Sequence, residues 1–533
     1  MTVEDKFVAL LQAKRFRDSN SAKESYGYRN PFESDYFRIV TSAPFRRLQD
    51  KTQIFPQEKS DFVRRRLTHS MEVATIGRRL GLMVEEALVN KGILPKEGEY
   101  MQKYSHSMAT ILETAGLVHD IGNPPFGHFG EDTIQQYFCD LLTRSKLENS
   151  IEAAQLTFNQ HVDDDSHSTA VSITKLLFKE QQEIGLVAKM FASLPNEQKS
   201  DFLHFDGNVE GFRILRHLGL SADENSFNLT MPTLATIIKY PQASKDIDEK
   251  SEIHSKTKYG YYVAENKAYE DICRNLHLCK GHRHPLAYLL EAADDIANVT
   301  SDVEDGFKMG TIPFEKMVEE LKDFEIVKLR FDNIAGFLRE QGKGIDPELK
   351  EGTAVFKELL VKEFRIRAVG MLIENVVKNF VDNFDSIVND AYDNNSVRRD
   401  KCDVLGQELL KNNSVKNVLK DLQGCSYSAP SVLKSEILGK NVITELLNMF
   451  VGCMFSDNIQ KKEKEERIIL KVKSLEEKLY ALISPNFKRA VGCEKNEVPK
   501  DHYQRFLLAV DHVANMTDSY AVDLYNELTI KKR

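Results

Sequence analysis

The chain has no CxxC pair, no surplus of basic residues and no leader-like N-terminus. Its seven cysteines, Cys139, Cys273, Cys279, Cys402, Cys425, Cys453 and Cys493, are odd in number and scattered. They support neither a zinc ribbon nor a disulfide framework and fit buried thiols in a reducing cytosol. The opening MTVEDKFVALLQAKRF carries acids and lacks the apolar core and cleavage site of a signal peptide, and no later run reads as long enough to cross a bilayer. A cytoplasmic protein with no membrane partner is expected. The 72 Lys and Arg are outnumbered by 81 Asp and Glu, a formal charge of −9, so there is no global footprint for duplex DNA. Local basic clusters could still meet an anionic substrate. After Gly306 glycine and proline are scarce, and no strand series, low-complexity segment or internal repeat is evident.

What is present is helix-forming sequence in quantity. A chain of 533 residues, 41% hydrophobic and 29% charged, can bury a large core, as several domains or one large helical body. Its organising stretch is TAGLVHDIGNPPFGHFGEDT, Thr114 to Thr133. Met108, Ile111, Leu112, Ala115, Leu117 and Val118 recur at helical spacing, and Gly122 with Pro124 stops the helix just past His119 and Asp120. Adjacent helical residues point about 100° apart, so this pair can share one ion only with ligands from other segments. Beyond the break, His128 and Glu131 stand three apart at a new helix start, where the carboxylate can hold the imidazole and raise its basicity. A chance His-Asp pair and a capping imidazole are the plainer explanations.

Other segments supply possible partners. In PFESDYFRIVTSAPFRRLQDKTQIFP, Arg38, Arg46, Arg47 and Lys51 interleave with apolar residues ahead of Gln53; a polyphosphate pocket and a solvated face both fit. His69 begins a second amphipathic helix behind Arg64, Arg65 and Arg66, residue types suited to an anion. HVDDDSH, His161 to His167, reads as a solvated turn. HFDGN, with His204 and Asn208 at a helix start, suits either an anion site or a plain cap. Lys239, Lys256 and Lys258 lie among Tyr240, Tyr259, Tyr261 and Tyr262, the ammonium and phenol groups a nucleotide site uses. In HRHPLAYLLEAADDIANVTSDVED the stripe Leu286, Leu289, Leu290, Ala293, Ala297 leaves Asp294 at its edge and Asp295 opposite. A buried Asp294 needs a metal or a salt bridge. Further helical runs are expected at Lys6 to Arg17, Ala354 to Ile387, Val432 to Met454 and Lys464 to Ile483.

In this order, FRRLQDKTQIFP, RLTHSMEV, LVHDIGNPPFGHFGE and LLEAADDI resemble the dGTP triphosphohydrolases of the HD-domain superfamily. HFDGN, IKY and GYY extend the resemblance, and NMTDSYAVD returns to it near the end. It implies an all-α fold with an HD-type core; with a boundary near 306 to 312 set by composition, the expected division is an N-terminal segment over residues 1–60 contributing to the nucleotide site, the HD-type core over 61–306 and an extended helical C-terminal region over 307–533. It implies a mononuclear site on His69, His119, Asp120 and Asp294 for Mn²⁺, Mg²⁺, Fe²⁺ or a related divalent ion, and a catalytic dyad of His128 and Glu131. Gln53 and Asp302 match contacts to the deoxyribose 3′-hydroxyl. Asn208, Lys239, Tyr240 and Lys258 match positions around the nucleotide, where Arg66 and His204 are further candidates. The family often has a tyrosine one turn after the last metal ligand; here it is Asn298, leaving the aromatic surface to another residue such as Tyr261 or Tyr262. The expected reaction is hydrolysis of dGTP or another dNTP to deoxynucleoside and triphosphate. The expected assembly is a homo-oligomer, a hexamer for example, in which Lys488 and Arg489 would complete a neighbouring subunit's site; single-stranded nucleic acid is an additional candidate partner. The rival readings are an HD phosphohydrolase with another nucleotide substrate and a nucleic-acid-binding regulatory protein.

Overall fold

Long amphipathic runs between short polar breaks build a helical molecule. The computed structural model describes residues 2–17, 30–55, 62–159, 185–219, 225–321, 353–392 and 414–529, apart from 249, 252–255, 428, 457–458, 460–461, 463–464, 466 and 495, together with the single positions 333, 336 and 340. The HVDDDSH turn lies outside these residues. The helices that shape the site are α1 (Pro31–Val40), α2 (Arg66–Asn90), α3 (Ser107–Val118), α4 (His128–Asn159), α5 (Gly207–Arg213), α6 (Met231–Ile237) and α7 (Pro285–Lys308). The second half adds α8 (Ala354–Asp382), α9 (Ser414–Tyr427), α10 (Pro430–Met454), α11 (His502–Ala514) and α12 (Asp518–Thr529). Among the described residues the sole sheet is a pair of two-residue antiparallel strands, with Ile468 opposite Val498. The protein is all-α.

The centre is the antiparallel crossing of α2 and α3. Apolar nearly all round, α3 is buried along its length and packs on α1, α2, α6 and α7. Glycines let the α2 and α3 backbones touch. A methyl at Gly81 would lie 2.6 Å from Ala109 Cα, one at Gly77 3.1 Å from the Leu112 carbonyl oxygen, and one at Gly116 2.7 Å from Ala74 Cα. These facing pairs run in opposite chain directions, so continuing the register brings the start of α2, with His69, level with the end of α3, with His119 and Asp120. Helix α7 packs across both. Pro285 occupies its first turn, and the His284 ring accepts a hydrogen bond from the Leu286 amide at 3.3 Å.

The second half packs directly on this core: α8 and α9 on α7, and α10 on α4, α11 and α12. A buried ion network strengthens the join. Arg213 donates to both oxygens of Asp511, at 2.7 and 2.8 Å, and to Glu265 at 2.6 Å. Val432–Met454 within α10 is, contrary to expectation, long and apolar enough to cross a membrane. In this fold it is a core helix, burying Val442, Ile443, Leu446, Leu447, Phe450 and Val451.

Several boundaries differ from the sequence expectations. The first helix is Val3–Leu10, opened by a Thr2–Asp5 capping box. It stops early because the following residues are used in tertiary contacts: Lys14 accepts from the Met231 amide, and Arg15 pairs with Asp35 at 2.7 Å. The run from Ala354 breaks at Asn383, and a new helix, Phe384–Tyr392, follows. The run expected from Lys464 contributes the strand Ile468–Ile469 and then the helix Leu475–Leu482, which starts where Ser474 and Glu477 form a capping box.

Candidate metal and acid-base site

Three segments deliver a cluster. His69 from the first turn of α2, His119 from the end of α3 and Asp294 from the middle of α7 present ligand atoms all within 4.8 Å of one another. Nε2 of each imidazole lies 3.3 Å from Asp294 Oδ1. His119 Nδ1–H donates to the Gly116 carbonyl at 2.8 Å, which turns the Nε2 lone pair into the cluster in the orientation a metal ligand requires. That Nε2 is buried and makes no hydrogen bond. A buried acceptor left in this way fits a divalent ion, and two imidazoles with carboxylate oxygen suit one of the first-row or magnesium type.

Asp120 stands at the edge of this set. Its Oδ2 is 3.5 Å from His119 Nε2 and also accepts from Arg66, while Oδ1 accepts from Asn123 at 2.9 Å. Burial opposes its charge, yet Arg66 and then the imidazoles hold it well below the ordinary carboxylate range. Asp294 Oδ2 accepts from Lys239 at 3.0 Å, and Asn298 donates to Oδ1 at 2.8 Å. Gln53 donates in turn to the Asn298 side-chain Oδ1 at 3.0 Å. Asn298 is therefore bound into the polar cluster.

The sharp turn after Asp120 sets the second group. Phe126 and Gly127 both have positive φ, 63° and 64°, a conformation that costs a bulky residue of order 1–3 kcal/mol and persists only where neighbours enforce it. Asp518 does so by accepting from the Phe126 amide at 3.1 Å. A methyl at Gly127 would meet the Arg66 guanidinium at 2.7 Å, so Arg66 spans from Asp120 to the turn that carries His128. The His128 ring is 77% exposed, and Nδ1 bonds Glu131 Oε2 at 3.0 Å. Glu131 Oε1 accepts from the Gly207 amide at 2.8 Å. The Glu131 hydrogen bond and charge raise the pKa of His128, with burial opposing. An exposed, oriented imidazole beside an anchored carboxylate can move a proton.

Cations border the cluster and the dyad. Lys239 reaches Asp294, and Lys258, half-exposed, donates to Asp206 at 2.7 Å. Tyr240 is buried, with the Arg283 guanidinium 5.7 Å from its ring centroid. Asp302 is buried lower on α7 and accepts from Ser301 and Gln423; burial pushes its carboxyl up to about 7, with the Gln423 bond opposing.

The structure places several other candidates in contacts of their own. The start of α5 is no open anion site, because Asp206 caps it and accepts from both Asn208 nitrogens, at 2.8 and 2.7 Å. His204 bonds Ser200 and lines a separate cavity with Ser244 and Lys245. Arg64 is committed to Glu72, Glu304 and Asp305, so of the three arginines Arg66 meets the cluster. Tyr261 stacks on Tyr269 at 4.3 Å, and Tyr262 donates to Glu210 at 3.3 Å deep in the core; neither offers a free aromatic face. Lys488 is buried with its ammonium 4.3 Å from the Tyr480 ring centroid. Sequence reasoning assigned no role to Asn123, Gln423 or Asp518; the last two act through distant contacts, and only Asn123, inside the GNPPFG break, had a local signal.

The HD domain family matches residues 66–194. Over 98% of its length the chain is 33% identical to a deoxyguanosinetriphosphate triphosphohydrolase-like protein of Listeria monocytogenes, covering 99% of that protein. The chain belongs to this family. A Synechocystis protein of the same description is 30% identical, with 97% of the chain and 98% of the relative covered. A Yersinia enterocolitica protein described as a deoxyguanosinetriphosphate triphosphohydrolase is 29% identical, with 96% of each covered. Membership makes the chain a phosphohydrolase of the HD type, in accord with an imidazole–carboxylate cluster beside a potential proton carrier.

Proposed function

We propose that the protein hydrolyses a deoxynucleoside triphosphate, dGTP first, to deoxynucleoside and intact tripolyphosphate. The observation that carries this reading is Arg66 joining two groups: it binds Asp120 at the imidazole–carboxylate cluster and abuts the turn carrying the His128–Glu131 dyad. His69, His119, Asp120 and Asp294 would hold one divalent ion, Mn²⁺ or Mg²⁺ in the first instance and Fe²⁺ as an alternative, which when bound offsets phosphate charge and lowers the pKa of water. Arg66, Lys239 and Lys258 would orient the phosphate chain and counter its charge. Lys239 would then exchange its contact with Asp294 for phosphate. Water oxygen forms a bond to the α-phosphorus as the bond to the 5′-oxygen breaks. His128, held by Glu131, moves the proton between the attacking water and the departing 5′-oxygen.

Incubation of the protein with each dNTP and NTP, with Mn²⁺ or Mg²⁺, tests this reading. Tripolyphosphate with deoxynucleoside is expected. Pyrophosphate with monophosphate, or phosphate alone, would place the broken bond elsewhere and refute it. No turnover of any nucleotide, alone or in mixtures able to supply an activator, would favour another HD substrate or a binding role.

A further inference from the structure

The basic stretch before Gln53 divides its arginines. Arg46 is exposed and donates to the Thr41 carbonyl at 2.7 Å. Arg47 instead points into a cavity of about 380 Å³, which shares no lining residue with the His69–His119–Asp294 cluster. It has no hydrogen-bond or ion-pair partner among the described residues, and burial lowers its pKa with only the Tyr520 phenol opposing. No carboxylate is among the described residues that line the cavity.

A second polar group there is unsatisfied. His512 is 7% exposed, and its Nε2 is buried without a partner. The ring packs edge-on against Phe450, with centroids 4.5 Å apart. Burial, then the charges of Lys488 and Arg47, push its pKa down to about 3, so the ring is neutral and Nε2 remains available for hydrogen bonding. The rest of the wall includes Leu482, Phe487 and Met516. A partly desolvated guanidinium without an acceptor is unfavourable. Here positive charge, an orphaned imidazole nitrogen and an apolar wall converge on a space of ligand size.

We propose that this cavity binds a small organic oxyanion: a phosphate or carboxylate on a flat apolar body. Arg47 takes the head group in a forked, charge-assisted contact. Leu482, Phe487 and Met516 cover the body, and His512 Nε2 meets a polar atom on it. The reaction assigned to the metal cluster plays no part in this assignment.

Titration calorimetry of the full-length protein with phenyl phosphate and, separately, benzoate tests it and identifies the preferred head group. Saturable binding of at least one probe is expected, weakened about 10- to 100-fold in Arg47→Gln, as befits loss of a charge-assisted contact. Leu482→Trp, at a position 49% exposed, should narrow the cavity and weaken binding while the protein stays folded; it decides the matter alone if Arg47→Gln misfolds. Lys239→Gln should bind as the parent does, because its change lies at the other site. Failure of both probes to saturate, parental affinity in the Arg47 and Leu482 variants, or loss of binding in Lys239→Gln would overturn the assignment.

Discussion

Gly116→Ala should loosen the crossing that brings His69 to His119. The added methyl would sit 2.7 Å from both Cα and N of Ala74, backbone atoms that cannot rotate aside. Carbon atoms pack best at ~3.5–4.0 Å, so α2 and α3 must part by roughly 0.8 Å or more. Overpacking of this kind costs about 1–3 kcal/mol, more than the ~1 kcal/mol gained from alanine's helix propensity. The displacement falls near the ends of the helices that carry the imidazoles, and a misplacement near 1 Å can cost on the order of 10²-fold in turnover. Denaturant unfolding of Gly116→Ala beside Gly370→Ala, where a methyl meets nothing within 4 Å, isolates the steric effect. The first should lose stability and turnover, and the second should be neutral or slightly stabilised. Parental stability and activity in Gly116→Ala would refute the tight-crossing account.

Arg213→Met should cost about 3–5 kcal/mol in denaturant unfolding, because it strands Asp511 and Glu265 in the core; a loss below about 1 kcal/mol would show that the network relaxes or admits water. Asp294→Ala should abolish metal retention while Asp295→Ala keeps it, as elemental analysis would show; the reverse would overturn the ligand assignment. Glu131→Gln removes the charge that helps raise the pKa of His128 and leaves at most a neutral, weaker hydrogen bond in place of the charge-assisted one, so the alkaline limb of a pH–rate profile that depends on protonated His128 should move to lower pH. An unmoved limb would take His128 out of that step. Burial pushes Lys51 down to about 7 from 10.5, so across that interval the unfolded chain holds a proton the folded chain has shed. The Lys51 contribution to stability therefore rises with pH over this window, and Lys51→Met should flatten the corresponding part of a stability–pH curve; an unchanged slope would contradict the shift.

The readable parts of the fold and candidate site were those governed by local chemistry. Helical periodicity placed Asp294 at the edge of an apolar stripe, and Gly122 with Pro124 marked the helix end at His119. The three-residue spacing brought His128 to Glu131. Arg64 and Arg66 are indistinguishable as side-chain types, and their division between an acidic cluster and Asp120 depends on how α2 meets α7 and α3. Tyr261 and Tyr262 carry the right groups for nucleotide contact, yet tertiary packing seals both. The link from Gln53 through Asn298 to Asp294 joins residues 53 and 298 across folded space, with no periodic pattern to announce it.

Asp518 has a consequence for the order in which the polypeptide is made. It accepts hydrogen bonds from the Thr52 amide and the Phe126 amide, 466 and 392 residues earlier. A nascent chain can therefore have synthesised His69, His119, His128 and Asp294 while the clasp that holds the turn ahead of His128 is still inside the ribosome. Domains fold progressively from the N-terminus during synthesis, but this clasp is completed only after Asp518 emerges. A chain truncated just before Asp518 retains every proposed ligand and both members of the dyad while losing the device that holds Phe126 at positive φ.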